Sequence, residues 1–148
     1  MKMLHLATAD DRDKLLPLIA AYHAHEGLDT TEAERAAALD VLFSGEVQAA
    51  LWLIGPRRAP VGYIAVAFGF SIELGGRDAF IDEFFIREAV RGRGMGSQVL
   101  ELLAPMLRQM GVKALHMEVA QDNERAARLY ARAGFRPRQK YFLMTRPL

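Results

Sequence analysis

Residues 90–97 read Val-Arg-Gly-Arg-Gly-Met-Gly-Ser, so Gly92, Gly94 and Gly96 alternate with larger side chains, two of them arginine. An apolar, strand-like segment from Phe80 to Ile86 leads into this run, and an amphipathic helical segment from Ser97 to Met110 leaves it. A glycine-rich turn between a strand and a helix exposes backbone N–H groups at the positive end of the helix dipole. That arrangement binds anions, most often phosphate. Glycine suits it because a side chain would hold the phosphate away from the backbone. The plain alternative is an ordinary strand-to-helix turn with a basic surface. Two familiar phosphate loops are tested by the same residues. The dinucleotide fingerprint G-x-G-x-x-G is met at Gly92 and Gly94 but has Ser97 in its third place, while Glu118 lies near the expected ribose-binding acid. The Gly-Lys-Ser/Thr ending of a Walker loop is absent.

The pattern met in full is Arg/Gln-x-x-Gly-x-Gly, at Arg91, Gly94 and Gly96. It resembles the pyrophosphate loop of the GCN5-related N-acetyltransferase (GNAT) family, which binds acetyl-coenzyme A. The resemblance extends in both directions. Asp82-Glu83-Phe84-Phe85-Ile86 is similar to the family's central strand, and the stretch from Asn123 to Phe135, with Tyr130, Gly134 and Phe135, is similar to its later helix. The motifs cover about a third of the chain, in the family's order. Within the family, the Asp-Glu-Phe-Phe-Ile segment and its distance from Tyr130 are most like the diamine (spermidine/spermine) acetyltransferases. The N-terminal third carries no comparable match.

The resemblance implies a chemistry. Two neighbouring parallel strands would splay apart and offer unpaired peptide groups to the pantetheine arm, which binds in strand fashion. Phe84, Phe85 and Ile86 would meet that arm. Arg91, Gly92, Arg93, Gly94, Met95, Gly96 and Ser97 would hold the pyrophosphate, and Asn123 and Ala126 would touch the cosubstrate from the later helix. The acceptor amine arrives as an ammonium ion and must lose a proton before it attacks a thioester; a nearby carboxylate can take it, directly or through water. The family pattern gives that role to Asp82 and the binding of a cationic acceptor to Glu83. An N–H near Phe85 or Ile86 would stabilise the oxyanion. Tyr130 would protonate the departing sulfur, since a phenol of pKa about 10 can protonate a thiolate of similar basicity. Without the family pattern, Tyr130 is an ordinary core tyrosine and Asn123 an ordinary helix cap. His23 and His25, near the end of the first helix, read as surface or pocket-lining residues. No third ligand joins them at metal-binding spacing. Glu26, Asp29, Glu73, Asp82 and Glu83 could together form an acidic mouth for a cationic amine.

The bulk properties agree with such an enzyme. With 148 residues, the chain is expected to form a single N-acetyltransferase domain over residues 1–148. A hydrophobic fraction of 51% is enough for a full core. Nineteen Lys and Arg balance 18 Asp and Glu, which does not favour a nucleic-acid partner. The arginines instead cluster at residues 87–93 and 125–138, which suits one small polyanion. There is no cysteine, so no disulfide and no acyl-cysteine intermediate can form, and a cytoplasmic location is expected. Asp10 and Asp11 come too early for a signal segment, and no apolar run reaches the roughly 20 residues needed to span a membrane. Family members are often homodimers. Rival readings are a protein amine, an amino acid or an aminoglycoside as acceptor, an acyl-CoA sensor without turnover, and a dinucleotide-binding oxidoreductase.

The elements that must position these residues follow from periodicity and punctuation. Strands are expected at Lys2–Ala7, Val47–Ile54, Val61–Ile72, Asp78–Ile86 and Lys113–Ala120, with Gly75-Gly76 as a hairpin turn. Helices are expected from Thr8 or Asp10 to His25, from a Thr31-x-x-Glu34 capping box to about Gly45, from Ser97 to Met110, and from an Asn123 cap to Gly134. Pro17 and Pro105 fall inside helices and should disturb them. Phe135–Pro147 is expected to add one or two strands. The fold class is α/β: a mixed, mostly antiparallel central sheet with one splayed parallel pair, flanked by about four helices, as in the GNAT fold.

Overall fold

The computed structural model describes residues 2–148. Five strands form one sheet in chain order: β1 (Leu4–Leu6), β2 (Ala49–Ile54), β3 (Gly62–Ser71), β4 (Gly76–Ile86) and β5 (Val112–His116). The first four pair antiparallel and β4 pairs parallel with β5. Helices α1 (Arg12–His25) and α2 (Glu32–Phe43) join β1 to β2. Helix α3 (Met95–Gln109) is the crossover from β4 to β5, and α4 (Glu124–Arg132) follows β5. A crossover of this kind is what a parallel pair requires.

Local chemistry sets the helix starts. Thr31 N–H donates to Glu34 Oε1 at 2.9 Å while Glu34 N–H donates to Thr31 Oγ1 at 3.1 Å, the reciprocal box that opens α2. Asn123 Oδ1 accepts from Ala126 N–H at 3.1 Å and opens α4. Pro17 and Pro105 lie within α1 and α3, each of which continues through its proline.

The sheet separates two apolar layers. On one face α3 packs Val99, Leu100, Leu103 and Leu107 against Trp52, Ile54, Ile64, Val66, Ala79 and Ile81. On the other, Leu15, Leu18 and Ile19 of α1 and Leu39 of α2 pack against Leu51, Leu53, Tyr63, Ala65 and Phe85. Each fully buried leucine or isoleucine contributes about 1.5–3 kcal/mol relative to an exposed one.

A bulge in β4 decides which of its side chains meets which layer. Val66 pairs with Ile81 and Ala65 with Glu83, so Asp82 has no residue opposite it. Before the bulge, Ala79 and Ile81 face the α3 layer. After it, Phe84 and Ile86 face that layer, while Phe85 joins the α1 layer. The extra residue has inverted the alternation.

Two expectations are corrected at the C-terminal end of the sheet. Pairing of β4 with β5 stops at Phe80 and His116, so β5 is Val112–His116 rather than Lys113–Ala120. The bulged half of β4 diverges there, and residues 117–120 leave the ladder. Phe135–Pro147 contains no strand. Pro137 and Pro147 cannot donate to a ladder, and the segment bends where Tyr141 N–H donates to Arg138 C=O at 3.0 Å. The guanidinium of Arg138 lies 4.7 Å from the Tyr141 ring centre, and Phe142 and Met144 are exposed.

Candidate active site

The divergence of β4 from β5 leaves the outer edge of Ile81–Ile86 without a strand partner and opens a two-part cleft. One part, of about 520 Å³, lies over the glycine-rich turn and is lined by Phe84, Phe85, Ile86, Arg91, Gly92, Gly94, Met95, Gly96 and Ser97. The other, of about 430 Å³, lies in the gap between the strands and is lined by Phe80, Ile81, Asp82, Phe84 and residues 117–120. Tyr22, Glu26, Asn123, Ala126 and Tyr130 border both parts, which makes them one continuous groove.

The turn is built as its glycines require. Gly92 and Gly94 have φ of 80° and 75°, a left-handed conformation that costs a residue with a side chain about 1–2 kcal/mol. Gly94 is the N-cap of α3, and the first helical bond runs from Gln98 N–H to Gly94 C=O at 3.1 Å. The N–H groups of Met95, Gly96 and Ser97 therefore precede the helical ladder and are directed out of the helix end. A Cβ on Gly96 would lie 3.3 Å from Leu129 Cδ2, so glycine lets α3 and α4 close together beside the groove. Arg91 Nε donates to Ile86 C=O at 2.7 Å and its guanidinium lies 5.5 Å from the Phe85 ring centre, which ties the turn to the end of β4.

Of the residues the sequence assigns to catalysis or cosubstrate binding, all but two line the groove; the exceptions are Arg93, which is exposed beside it, and Glu83. The bulge turns Glu83 toward α1, where the Tyr63 hydroxyl donates to Oε1 at 2.7 Å and His23 Nε2 lies 2.6 Å from Oε2. Asp82, the bulged residue, is exposed in the gap between the strands. Glu26, Asp82 and Glu83 converge around Tyr22, whereas Asp29 and Glu73 border neither part of the groove. Burial, followed by the charges of Glu26 and Glu83, pushes the Tyr22 hydroxyl up to about 12. Burial and then Glu26 raise Tyr130 above an ordinary phenol, so its hydroxyl stays protonated. The edge of the Tyr130 ring packs against Phe135 at 5.8 Å between centres.

Sequence reasoning missed several lining residues: Tyr22, Arg125, Leu129 and Arg132. Arg125 and Arg132 were visible only as part of a basic cluster. Tyr22 was visible only as a residue within the expected first helix. Its place depends on how α1 crosses the sheet, which no local signal encodes. Among the described residues, no group of three or more His, Asp or Glu is arranged to hold a metal ion, and no helix is long and apolar enough to cross a membrane.

Known proteins resemble this chain in sequence and in fold. The N-acetyltransferase YycN of Bacillus subtilis is 37% identical over 59 residues, covering 40% of this chain and 38% of that protein. The thialysine N-epsilon-acetyltransferase of Bos taurus is 30% identical over 74 residues, covering 50% of this chain and 43% of that protein. The match thus spans about two fifths of these curated relatives. An integron cassette protein from the mobile metagenome of Cole Harbour Salt Marsh has a similar structure, with a TM-score of 0.85 and 29% identity over 99% of this chain and 90% of that one. The profile of the acetyltransferase (GNAT) family matches residues 14–135, which takes in the bulged strand, the glycine-rich turn and Tyr130. The chain belongs to the acetyltransferase (GNAT) family.

Proposed function

We propose that this protein transfers an acetyl group from acetyl-CoA directly to a primary amine, and that the acceptor is a small cationic amine of the polyamine class. Acetyl-CoA is the acetyl donor of the family. The observation that carries the reading is the continuity of the groove. Exposed N–H groups at the start of α3, an unpaired strand edge, a protonated tyrosine and a set of carboxylates follow one another along it.

Each residue has a role that its position supports. Gly92, Gly94, Gly96 and the N–H groups up to Ser97 hold a pyrophosphate, with Arg91, Arg93 and Arg125 adding positive charge. Phe84, Phe85 and Ile86 receive the pantetheine arm, while Asn123 and Ala126 close the groove from α4. Asp82 accepts the ammonium proton, directly or through a water; its exposed place in the gap suits a water relay. Glu83, with Glu26, contributes negative charge that favours a cationic acceptor. The Tyr130 hydroxyl, kept protonated by burial, donates its proton to the thiolate of departing coenzyme A. An amino acid acceptor is the second reading, favoured by the relative named for the ε-amine of thialysine.

Calorimetry with acetyl-CoA tests the donor site, and thiol release with spermidine, lysine and an aminoglycoside tests the acceptor. Binding in the micromolar range with spermidine preferred is the expected result. Absence of heat at millimolar acetyl-CoA would overturn the whole reading, whereas preference for lysine would overturn only the acceptor.

A further inference from the structure

Behind the groove, Glu83 is the centre of a hydrogen-bond chain that donor binding does not need. Tyr63 occupies one carboxylate oxygen and His23 Nε2 the other. The second ring nitrogen of His23, Nδ1, lies 2.6 Å from Thr30 Oγ1. Arg35 Nη1 donates to Thr30 Oγ1 at 3.1 Å and also to the Thr30 carbonyl. The side chains of His23 and Glu83 are 12% and 19% exposed, so solvent screens their interaction only in part.

This geometry accepts two charge states without moving a heavy atom. A carboxylate has no hydrogen to give, so Nε2 carries one in either state. When the imidazole is neutral, the Thr30 hydroxyl donates to Nδ1. When it is protonated, the hydroxyl turns round and accepts from Nδ1–H. The pair then changes from one net negative charge to none. That charge reaches the groove, because Glu83 acts with Glu26 and Asp82 on Tyr22, which lines it.

We infer that His23 is a charge gate for the acceptor: neutral, it leaves Glu83 free to attract a cationic amine, and protonated, it cancels that attraction. His23 is a positioning residue, acting through Glu83, and the inference rests on the cationic acceptor proposed above. The other charged and titratable groups around the pair are Tyr22 from α1, Glu26 just after that helix, Tyr63 from β3, Asp82 from β4 and Arg35 from α2. Burial, then the Glu83 charge, raises Tyr63, so both tyrosines stay neutral where imidazoles titrate.

The test is spermidine binding to the full chain at pH 6 and pH 8, by calorimetry, for the wild type, His23→Gln and Glu83→Gln. Glutamine retains an amide N–H that can reach Glu83 but cannot take up the charge. Wild-type affinity should fall about tenfold from pH 8 to pH 6, while His23→Gln changes by less than about twofold. Glu83→Gln should bind weakly at both. By linkage, saturating spermidine should lower the titration midpoint of the His23 imidazole, followed by NMR, by at least about one pH unit. Thr30→Val is a second variant that leaves the pair intact, and its binding profile should move along pH together with its imidazole midpoint. An unmoved midpoint, or a wild-type pH dependence in His23→Gln, would overturn the gate. So would absence of spermidine binding at both pH values, and acetyl-CoA calorimetry on the same samples would then judge the transferase reading separately.

Discussion

Tyr130 and Asp82 face the same groove, the one half-buried and the other exposed. Burial and the neighbouring Glu26 disfavour the Tyr130 phenolate, so the hydroxyl remains a donor to higher pH than a free phenol. Tyr130→Phe should therefore lower kcat about 100-fold while the acetyl-CoA dissociation constant, read by calorimetry, changes by less than about twofold. Unchanged turnover would remove Tyr130 from the proton path. Asp82 is exposed and its carboxylate has no hydrogen-bond partner among the described residues, so little in the fold depends on its charge. Asp82→Asn should lower kcat by about 100-fold at neutral pH with no loss of melting temperature, which a stopped-flow thiol assay and a thermal scan can check together. On the proposed role of Tyr130, the phenylalanine variant should also lose the alkaline limb of the kcat profile.

The glycine-rich turn depends on backbone geometry more than on side-chain charge. Gly94→Ala puts a Cβ at φ of 75° and distorts the N–H groups that start α3. The expected result is an acetyl-CoA affinity reduced at least about tenfold, with about 1–2 kcal/mol lost from stability in a denaturant titration. Elements of this kind were legible in the sequence because their signals are local: three glycines, the Thr31–Glu34 box, the Asn123 cap. The end of β5 and the fate of Phe135–Pro147 were not. Whether Met117 or Tyr141 extends a ladder depends on where the neighbouring backbone lies, and β4 turns away just where a longer β5 would need it. The same holds for Glu83. Its sequence neighbours mark it as part of an acidic pair, but its contacts with His23 and Tyr63 come from residues 60 and 20 positions away.

Two apolar layers share one sheet. Leu103 is fully buried in the α3 layer, and Leu103→Ala should cost about 2–5 kcal/mol in denaturant-derived stability. Stability should also fall at both pH extremes. Tyr22, Tyr63 and Tyr130 all have raised pKa values in the fold, so above pH ~10 the unfolded chain holds fewer protons than the native one and stability falls as pH rises. Burial pushes Asp11 up, but hydrogen bonds from Thr8 N–H, Lys14 and Arg57 outweigh it and leave its carboxyl below the ordinary range. The stability it contributes is present above the unfolded value and is lost as pH falls through the lower, folded one. Melting temperatures recorded from pH 3 to 11 check both limbs. The unpaired residue in β4 adds a consequence that point substitutions cannot reach. Loss of its codon would leave Ile81 opposite Val66, Glu83 opposite Ala65 and Phe85 opposite Tyr63, so every downstream side chain would keep its face and the strand would lose only its kink and an exposed carboxylate. A deletion at position 82 should thus be borne better than one elsewhere in the strand, where the surplus residue would be used up and the side chains between the two points would exchange layers.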